Sequence, residues 1–594
     1  MSFPAFGVDL NPDGVSRFSS APPSTLTSLT DSDVDDMAAQ LGVVDMVAGV
    51  EGVEFPPGTS QVKWASGIVT MEPWITPIGQ DGPDVLGVRS MASAPDISQI
   101  ESKDSFVYIF DIRDLCKNVD DPDLEDRTTV VQLIKDKISR GIPVLVRGFP
   151  LPSIEWDFSS VNRMKGSLLN PVSIQEARLR MASETYTKSP VADLHLELKL
   201  GDFIAAATEP DSEDSPKMCG NLLDSYSVDW SAMPWVIADI NEQATAVYQN
   251  RRDWHIRLNK NAKGKEIAEP ETFSGPQSMH PDGWQLQMWD LFTHGGFFTR
   301  IHHDAAGAGT WMAIRVGGKM WTLVDVSQQG IRSRDRLVDR FYHATDLFTG
   351  TPSQPVPHKA VTVCLQRGDI LIQPPNIMHC VYTPVKSIAT GGHFYMYSSM
   401  HLTEFGCRVD HRKGGWTTNQ VHPGASRLMI NMALALPNFS DKPMLKIPFL
   451  GLARLILDRD AYEPSLDGVG TARYYPQDIQ HREELGELDK AKKIIQAVLE
   501  ANNIPLSQVD ILLQSLGRDY KDPGDEQVDL SCLREWDTIR VDEDYRQVLK
   551  DVVWFEQQKV SAAAASGAGK VARQRLREAI QLEKHSIRGK SSNN

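Results

Sequence analysis

Three His-x-Asp/Glu triplets stand in the chain, and metal binding is the chemistry that pattern offers. On a strand, residues i and i+2 point to the same side, so an imidazole and a carboxylate spaced this way reach one ion. Two imidazoles and one carboxylate on a single face of the metal, with three positions left open, form the donor set of non-haem iron(II) oxygenases. His195-x-Glu197 lies in a charged stretch, 172–205, that reads as helical. His280-x-Asp282 lies in His-Pro-Asp-Gly, which is turn chemistry. Only His302-x-Asp304 follows a strand-like run, Phe297-Phe-Thr-Arg-Ile-His-His-Asp304, inside a β-rich block. The first two triplets are read as structural and the third as a ligand pair.

The second imidazole has two candidates. His379 ends Gln373-Pro-Pro-Asn-Ile-Met-His379 and opens a strand, Cys380-Val-Tyr382, so a turn–strand–loop–strand unit delivers it at a rim. His393 follows Gly391-Gly392 and reads as a hydrogen-bonding neighbour, a core histidine or a rival ligand. His379 is the preferred one. Many oxygenases of this kind also chelate 2-oxoglutarate, whose distal carboxylate must meet a cation. Lys319, in Gly317-Gly-Lys-Met-Trp321 between two strand-like runs, suits that task. A buried isolated charge is costly unless paired. The plain alternative is an edge-strand lysine reaching out to water.

The elements that must position these residues follow from periodicity. Residues 1–104 read as a disordered acidic region: no basic residue lies between Arg17 and Lys63, and apolar residues are sparse. Residues 105–284 read as a mixed α/β region, with strands at 106–112 and 143–147 and a helix at 128–140 closed by Gly141. From about 285 the texture becomes short β runs separated by Gly and Pro: 311–316, 320–325, 370–373, 380–382 and 393–398. Such a succession predicts a jelly-roll barrel over 285–425. Residues 426–566 read as helical, with stripes at 485–499, 509–516 and 545–555. A basic tail, 567–594, holds seven Lys or Arg against two Glu and reads as a solvated helix end or a nuclear-import or nucleic-acid contact.

The whole chain has 594 residues and a net charge of −17, which argues against strong nucleic-acid binding. Its 41% hydrophobic content excludes wholesale disorder. Six scattered cysteines without a CxxC pair fit a reducing compartment. With no signal peptide and no membrane-length apolar run, a soluble protein of the nucleus, or otherwise the cytoplasm, is expected.

The stretch from about 285 to 400 resembles a JmjC domain, in particular the branch holding the histone lysine demethylases. Three segments carry the likeness: Thr299-Arg-Ile-His-His-Asp304; Trp311 through Gly317-Gly-Lys-Met-Trp321; and Ile372-Gln-Pro-Pro-Asn-Ile-Met-His-Cys-Val-Tyr-Thr-Pro384 followed by Gly391-Gly-His-Phe394. The resemblance implies an α+β protein with a double-stranded β-helix (jelly-roll or cupin) core, flanking helices and a helical C-terminal region. It implies Fe(II), 2-oxoglutarate and O₂ as cofactor and cosubstrates, with His302, Asp304 and His379 as iron ligands. Thr299, three residues before the first histidine, and Lys319, 17 after it, would bind the distal carboxylate. The expected substrate is a protein, such as a methylated histone tail, in the company of chromatin-associated partners. A JmjC protein hydroxylase or a non-catalytic JmjC scaffold are the other readings. Two departures bear on the substrate: Met312 stands where demethylases usually place Tyr or Asn, and His393 replaces an Asn after the two glycines.

Overall fold

The structure is a computed structural model. It describes residues 61–73, 83–97, 106–152, 154–177, 195–207, 218–227, 233–242, 288–326, 333–345, 347, 359–413, 417–418, 422, 425–439, 443–462, 477–509 and 526–534. The expectations for 1–60, 178–194, 280–282, 510–516, 545–555 and 567–594 concern residues outside these.

The barrel strands are short, β-branched and bounded by Gly or Pro, as half-buried pleated segments must be. In chain order the first strands are β1 (Gln61–Lys63), β2 (Val69–Met71), β3 (Tyr108–Asp111), β4 (Val144–Arg147), β5 (Pro171–Glu176), β6 (His195–Lys199) and β7 (Gly220–Tyr226). The barrel proper is β8 (Trp289–Thr293), β9 (Phe297–His302), β10 (Gly309–Val316), β11 (Lys319–Asp325), β12 (Lys359–Leu365), β13 (Ile370–Gln373), β14 (Met378–Thr383) and β15 (Ser387–Phe394). Nine strands pair in the order β3-β4-β13-β10-β15-β8-β7-β5-β6, and four in the order β12-β11-β14-β9. From β8 to β11 the chain crosses from one sheet to the other at every step. It does so again from β12 to β15. Every pairing within the eight barrel strands is antiparallel. That alternation is the double-stranded β-helix, and the fold is α+β.

The two sheets meet through Met312, Ile314 and Leu371 on one side and Trp321, Leu323, Val361, Val363 and Val381 on the other, all buried. Helix α1 (Pro83–Ala92) belongs to the N-terminal segment, and α2 (Leu124–Ser139) and α3 (Trp235–Ile240) back the large sheet. On α2 the Asp123 side chain accepts from the Asp126 amide and starts the helix, while Val130, Ile134 and Ile138 turn inward at helical spacing. Each such buried side chain contributes roughly 1.5–3 kcal/mol. Beyond the barrel, α4 (Met400–Lys413), α5 (Ala425–Ala435), α6 (Lys446–Leu457) and α7 (Gln477–Ala501) build a second core around Met432, Leu450, Leu452, Ile494 and Val498.

Three expectations need correction. The run 393–398 is not one strand: β15 ends at Phe394, and Tyr397–Ser399 is a short 3₁₀ turn. Part of the acidic N-terminal region is ordered: β1 and β2 pair, and Val62, Trp64, Val88 and Met91 pack on the outer face of the small sheet against Met320, Cys380 and Tyr382. Sparse apolar residues suffice there because the barrel supplies the other half of the core. Among the described residues of the stretch read as helical, 171–176 and 195–199 are paired strands and 200–206 is helical. On the outermost strand β6, four of five residues are exposed, so the polar composition marks a sheet edge.

Candidate metal centre

His302 ends β9 and His379 lies near the start of β14; the two are directly opposed across the strands. The pairing then slips: His379 and Val381 are two residues apart, while their partners His302 and Thr299 are three apart. The extra residue is a bulge, and it turns both His302 and Thr299 to the barrel interior. Asp304 follows two residues beyond His302, at the head of a tight turn over Ala305–Gly307. Ligand atoms of His302, Asp304 and His379 all lie within 4.8 Å of one another, close enough for one ion to touch all three. His195 sits on the sheet edge, exposed.

Local hydrogen bonds fix what each donor presents. The Nδ1 of His302 lies 2.7 Å from the Arg300 carbonyl, and that of His379 lies 3.0 Å from the Ile377 carbonyl. A carbonyl can only accept, so each Nδ1 carries the proton and each Nε2 keeps its lone pair. Burial pushes the His302 imidazole down to about 3 and lowers His379 too, so both stay neutral. Burial alone would raise Asp304, but it is held well below the usual carboxylate range, its Oδ2 accepting from the Thr310 hydroxyl. Trp321 stacks on His379, centroids 5.1 Å apart at 15°, and its indole N–H donates to Gln373 at 3.3 Å. Two neutral imidazoles and one anionic oxygen suit a divalent first-row metal such as iron(II).

Lys319 is on β11, which is flanked by β12 and β14, and is 2% exposed; it is no edge lysine. Its Nζ donates to Thr293 Oγ1 and Thr383 Oγ1, each at 2.9 Å. It has no anionic partner among the described residues, and burial pushes its ammonium down to about 7. Thr299, the expected companion, is half-buried on the same wall, in the row between His302 and Phe297. Sequence reasoning missed Thr293 and Thr383, whose position depends on register. Thr293 passes its own proton to Asn221 at 2.8 Å, while the Ser387 hydroxyl, opposite Thr293, and the Trp289 indole N–H are buried without a partner. Buried donors without acceptors are costly, and an anion satisfies them.

Met312 and His393 both face into the barrel: Met312 packs in the inter-sheet core, and the His393 Nδ1 lies 3.0 Å from Thr310 Oγ1. Among the described residues no helix is long and apolar enough to cross a membrane.

No protein-family model matches the chain. Over 110 residues it is 28% identical to the JmjC domain-containing histone demethylation protein 1 of Cryptococcus neoformans var. neoformans serotype D. The aligned part is 18% of this chain and spans 12% of that protein's length. A likeness to a JmjC-domain protein, a double-stranded β-helix and an inward-facing His302–Asp304–His379 cluster agree with one another.

Proposed function

We propose that the chain is an Fe(II)- and 2-oxoglutarate-dependent dioxygenase of JmjC type acting on a protein, with demethylation of methyl-lysine in a histone tail as its reaction and the nucleus as its place of work. The observation that carries this reading is the pairing of a three-donor cluster with an anion-less buried lysine on the same barrel wall. His302, His379 and one oxygen of Asp304 would hold the metal; Lys319 with Thr383 and Ser387 would seat the distal carboxylate. The iron so held would activate O₂, with 2-oxoglutarate oxidised to succinate and CO₂, for insertion of one oxygen atom into an unactivated C–H bond. The chain's own part is to keep two imidazoles neutral and aimed, to exclude water by burial, and to offer donors to an anion. A non-catalytic scaffold would have no use for a buried ammonium held open in this way.

Protein hydroxylation is the second reading, favoured by Met312. Its thioether faces the barrel interior at the place where a demethylase-like site is expected to carry Tyr or Asn. One experiment separates the readings. The Fe(II)-loaded protein is given 2-oxoglutarate and methylated histone peptides, and succinate and peptide mass are followed. Demethylation removes about 14 Da and hydroxylation adds about 16 Da, as oxidation of a C–H bond requires. Asp304→Ala should abolish 2-oxoglutarate turnover with the fold intact by circular dichroism. Turnover that survives Asp304→Ala would remove the metal assignment.

A further inference from the structure

Asp304 is held by more than the turn it starts. Thr310, on β10, places its hydroxyl 2.6 Å from Asp304 Oδ2 and 3.0 Å from His393 Nδ1. Thr310 and His393 are opposed across β10 and β15, and Gln373 flanks Thr310 on the other side, on β13. One row of the large sheet therefore serves ligands that sit elsewhere. Gln373 holds Trp321, which lies on His379, and Thr310 holds Asp304.

A hydroxyl has one proton. The Thr310 hydroxyl donates that proton to Asp304 Oδ2. Thr310 must then accept from His393, and His393 carries its proton on Nδ1. The imidazole cannot turn away easily: Trp289 packs on it with centroids 5.6 Å apart, and His422, from the segment after α4, packs at 4.4 Å. The chain His393–Thr310–Asp304 thus runs in one direction and engages one carboxylate oxygen.

We infer that Thr310 and His393 are positioning residues that restrict Asp304 to one-oxygen ligation, so that the metal keeps the open positions a chelating cosubstrate and O₂ need. The inference rests on the proposed metal site. With one lone-pair site of Oδ2 engaged by Thr310, ligation is biased towards Oδ1. Without that hydroxyl both oxygens are free to bind, and a second carboxylate oxygen would occupy an open position.

Cobalt(II) tests this without turnover. The full chain is titrated with Co(II) alone, and affinity and the visible d–d spectrum are recorded beside the melting temperature of the metal-free protein. Loss of a partner that orients a metal ligand typically costs 10–100-fold in metal affinity. Thr310→Val, which keeps shape and loses the hydroxyl, should weaken Co(II) by about that factor and alter the d–d bands. Thr310→Ser should restore both. His393→Leu should weaken Co(II) as well, whereas His393→Asn, whose side-chain N–H can donate to Thr310, should recover most of the affinity. Unchanged affinity and spectrum in Thr310→Val would overturn the proposal, as would His393→Asn and His393→Leu behaving alike. If wild type and Asp304→Ala bind Co(II) equally, the metal site itself is wrong and the inference falls with it.

Discussion

An ammonium buried without an anion favours its neutral form, and Lys319 is placed that way. Among the described residues, no other charge on the surrounding strands faces it. His302 and Asp304 beyond β9, His379 on β14 and His393 on β15 lie towards the metal end, and Asp290 on β8 is paired with Lys165 at 2.6 Å on the outer side. Burial lowers Lys319 from 10.5 to about 7, while a bound carboxylate would restore the charged form. Above about pH 7 the ligand-free protein must therefore take up a proton when 2-oxoglutarate binds. Affinity should fall by up to tenfold per pH unit as pH rises from about 7. Folding runs the other way: between about 7 and 10.5 the unfolded chain holds more protons at this lysine, so its contribution makes stability rise with pH. Calorimetry of 2-oxoglutarate binding in buffers of different ionisation enthalpy should show nearly one proton absorbed at about pH 8 and almost none at about pH 6. Equal, near-zero uptake at both would show that Lys319 is charged throughout. Lys319→Ala should remove the pH dependence and weaken binding by roughly 30-fold or more, since losing one member of a buried charged pair costs about 2–5 kcal/mol.

At the scale of the element, the turn between β9 and β10 decides where Asp304 stands. Ala306 and Gly307 are both left-handed, with φ of 58° and 59°. The turn is clamped from two sides, by Asp410 accepting from the Ala306 amide at 2.6 Å and by the Tyr395 hydroxyl donating to the Ala306 carbonyl at 3.1 Å. A Cβ on Gly307 would lie 2.2 Å from the Thr403 carbonyl oxygen on α4. Gly307→Ala should therefore cost more than the roughly 1–2 kcal/mol of a left-handed L-residue, and Co(II) affinity should fall as Asp304 shifts. Gly67 is the control: its φ is 90°, and a Cβ there meets nothing within 4 Å. Gly67→Ala should show the backbone cost alone, with Co(II) affinity unchanged in the same titration. This scale also shows what the sequence makes legible. β10, β11, β13 and β14 are readable because short apolar runs end at Gly, Pro or Asp, and His302, Asp304 and His379 because an i, i+2 pair and a strand-opening histidine are local patterns. The Thr293, Thr383 and Thr310 contacts are cross-strand facts, fixed by register and invisible in any window of the chain. Residues 171–176 and 195–199 mislead because polar strands at and next to the sheet edge lack an apolar alternation.

In the molecule as a whole, each sheet needs a cover, and the small sheet draws its cover from a segment that composition alone would leave unfolded. The outer face of β14 carries Met378, Cys380 and Tyr382, while its inner face carries His379. Trp64 stacks on Tyr382 with centroids 6.2 Å apart at 19°, and its indole N–H donates to Thr70 at 2.9 Å. The Tyr382 hydroxyl in turn donates to the Met71 carbonyl at 2.6 Å. Beyond α1, the Thr362 amide on β12 donates to the Pro95 carbonyl at 2.9 Å, so the segment is pinned at both ends of the sheet. The candidate metal site thus depends on a strand whose far side is covered by residues within 61–73 and 83–97. Trp64 is 2% exposed, and truncating a buried aromatic of this size costs about 3–5 kcal/mol. Trp64→Ala should lower the melting temperature of the barrel transition by that equivalent, while Co(II) affinity measured well below the transition stays near wild type, because no ligand contact is lost. Removing residues 61–97 altogether should be harsher, exposing a continuous apolar face, and the shortened chain should aggregate. A shortened chain that stays monomeric by light scattering and melts like the full protein would show that this segment is not the cover the barrel needs.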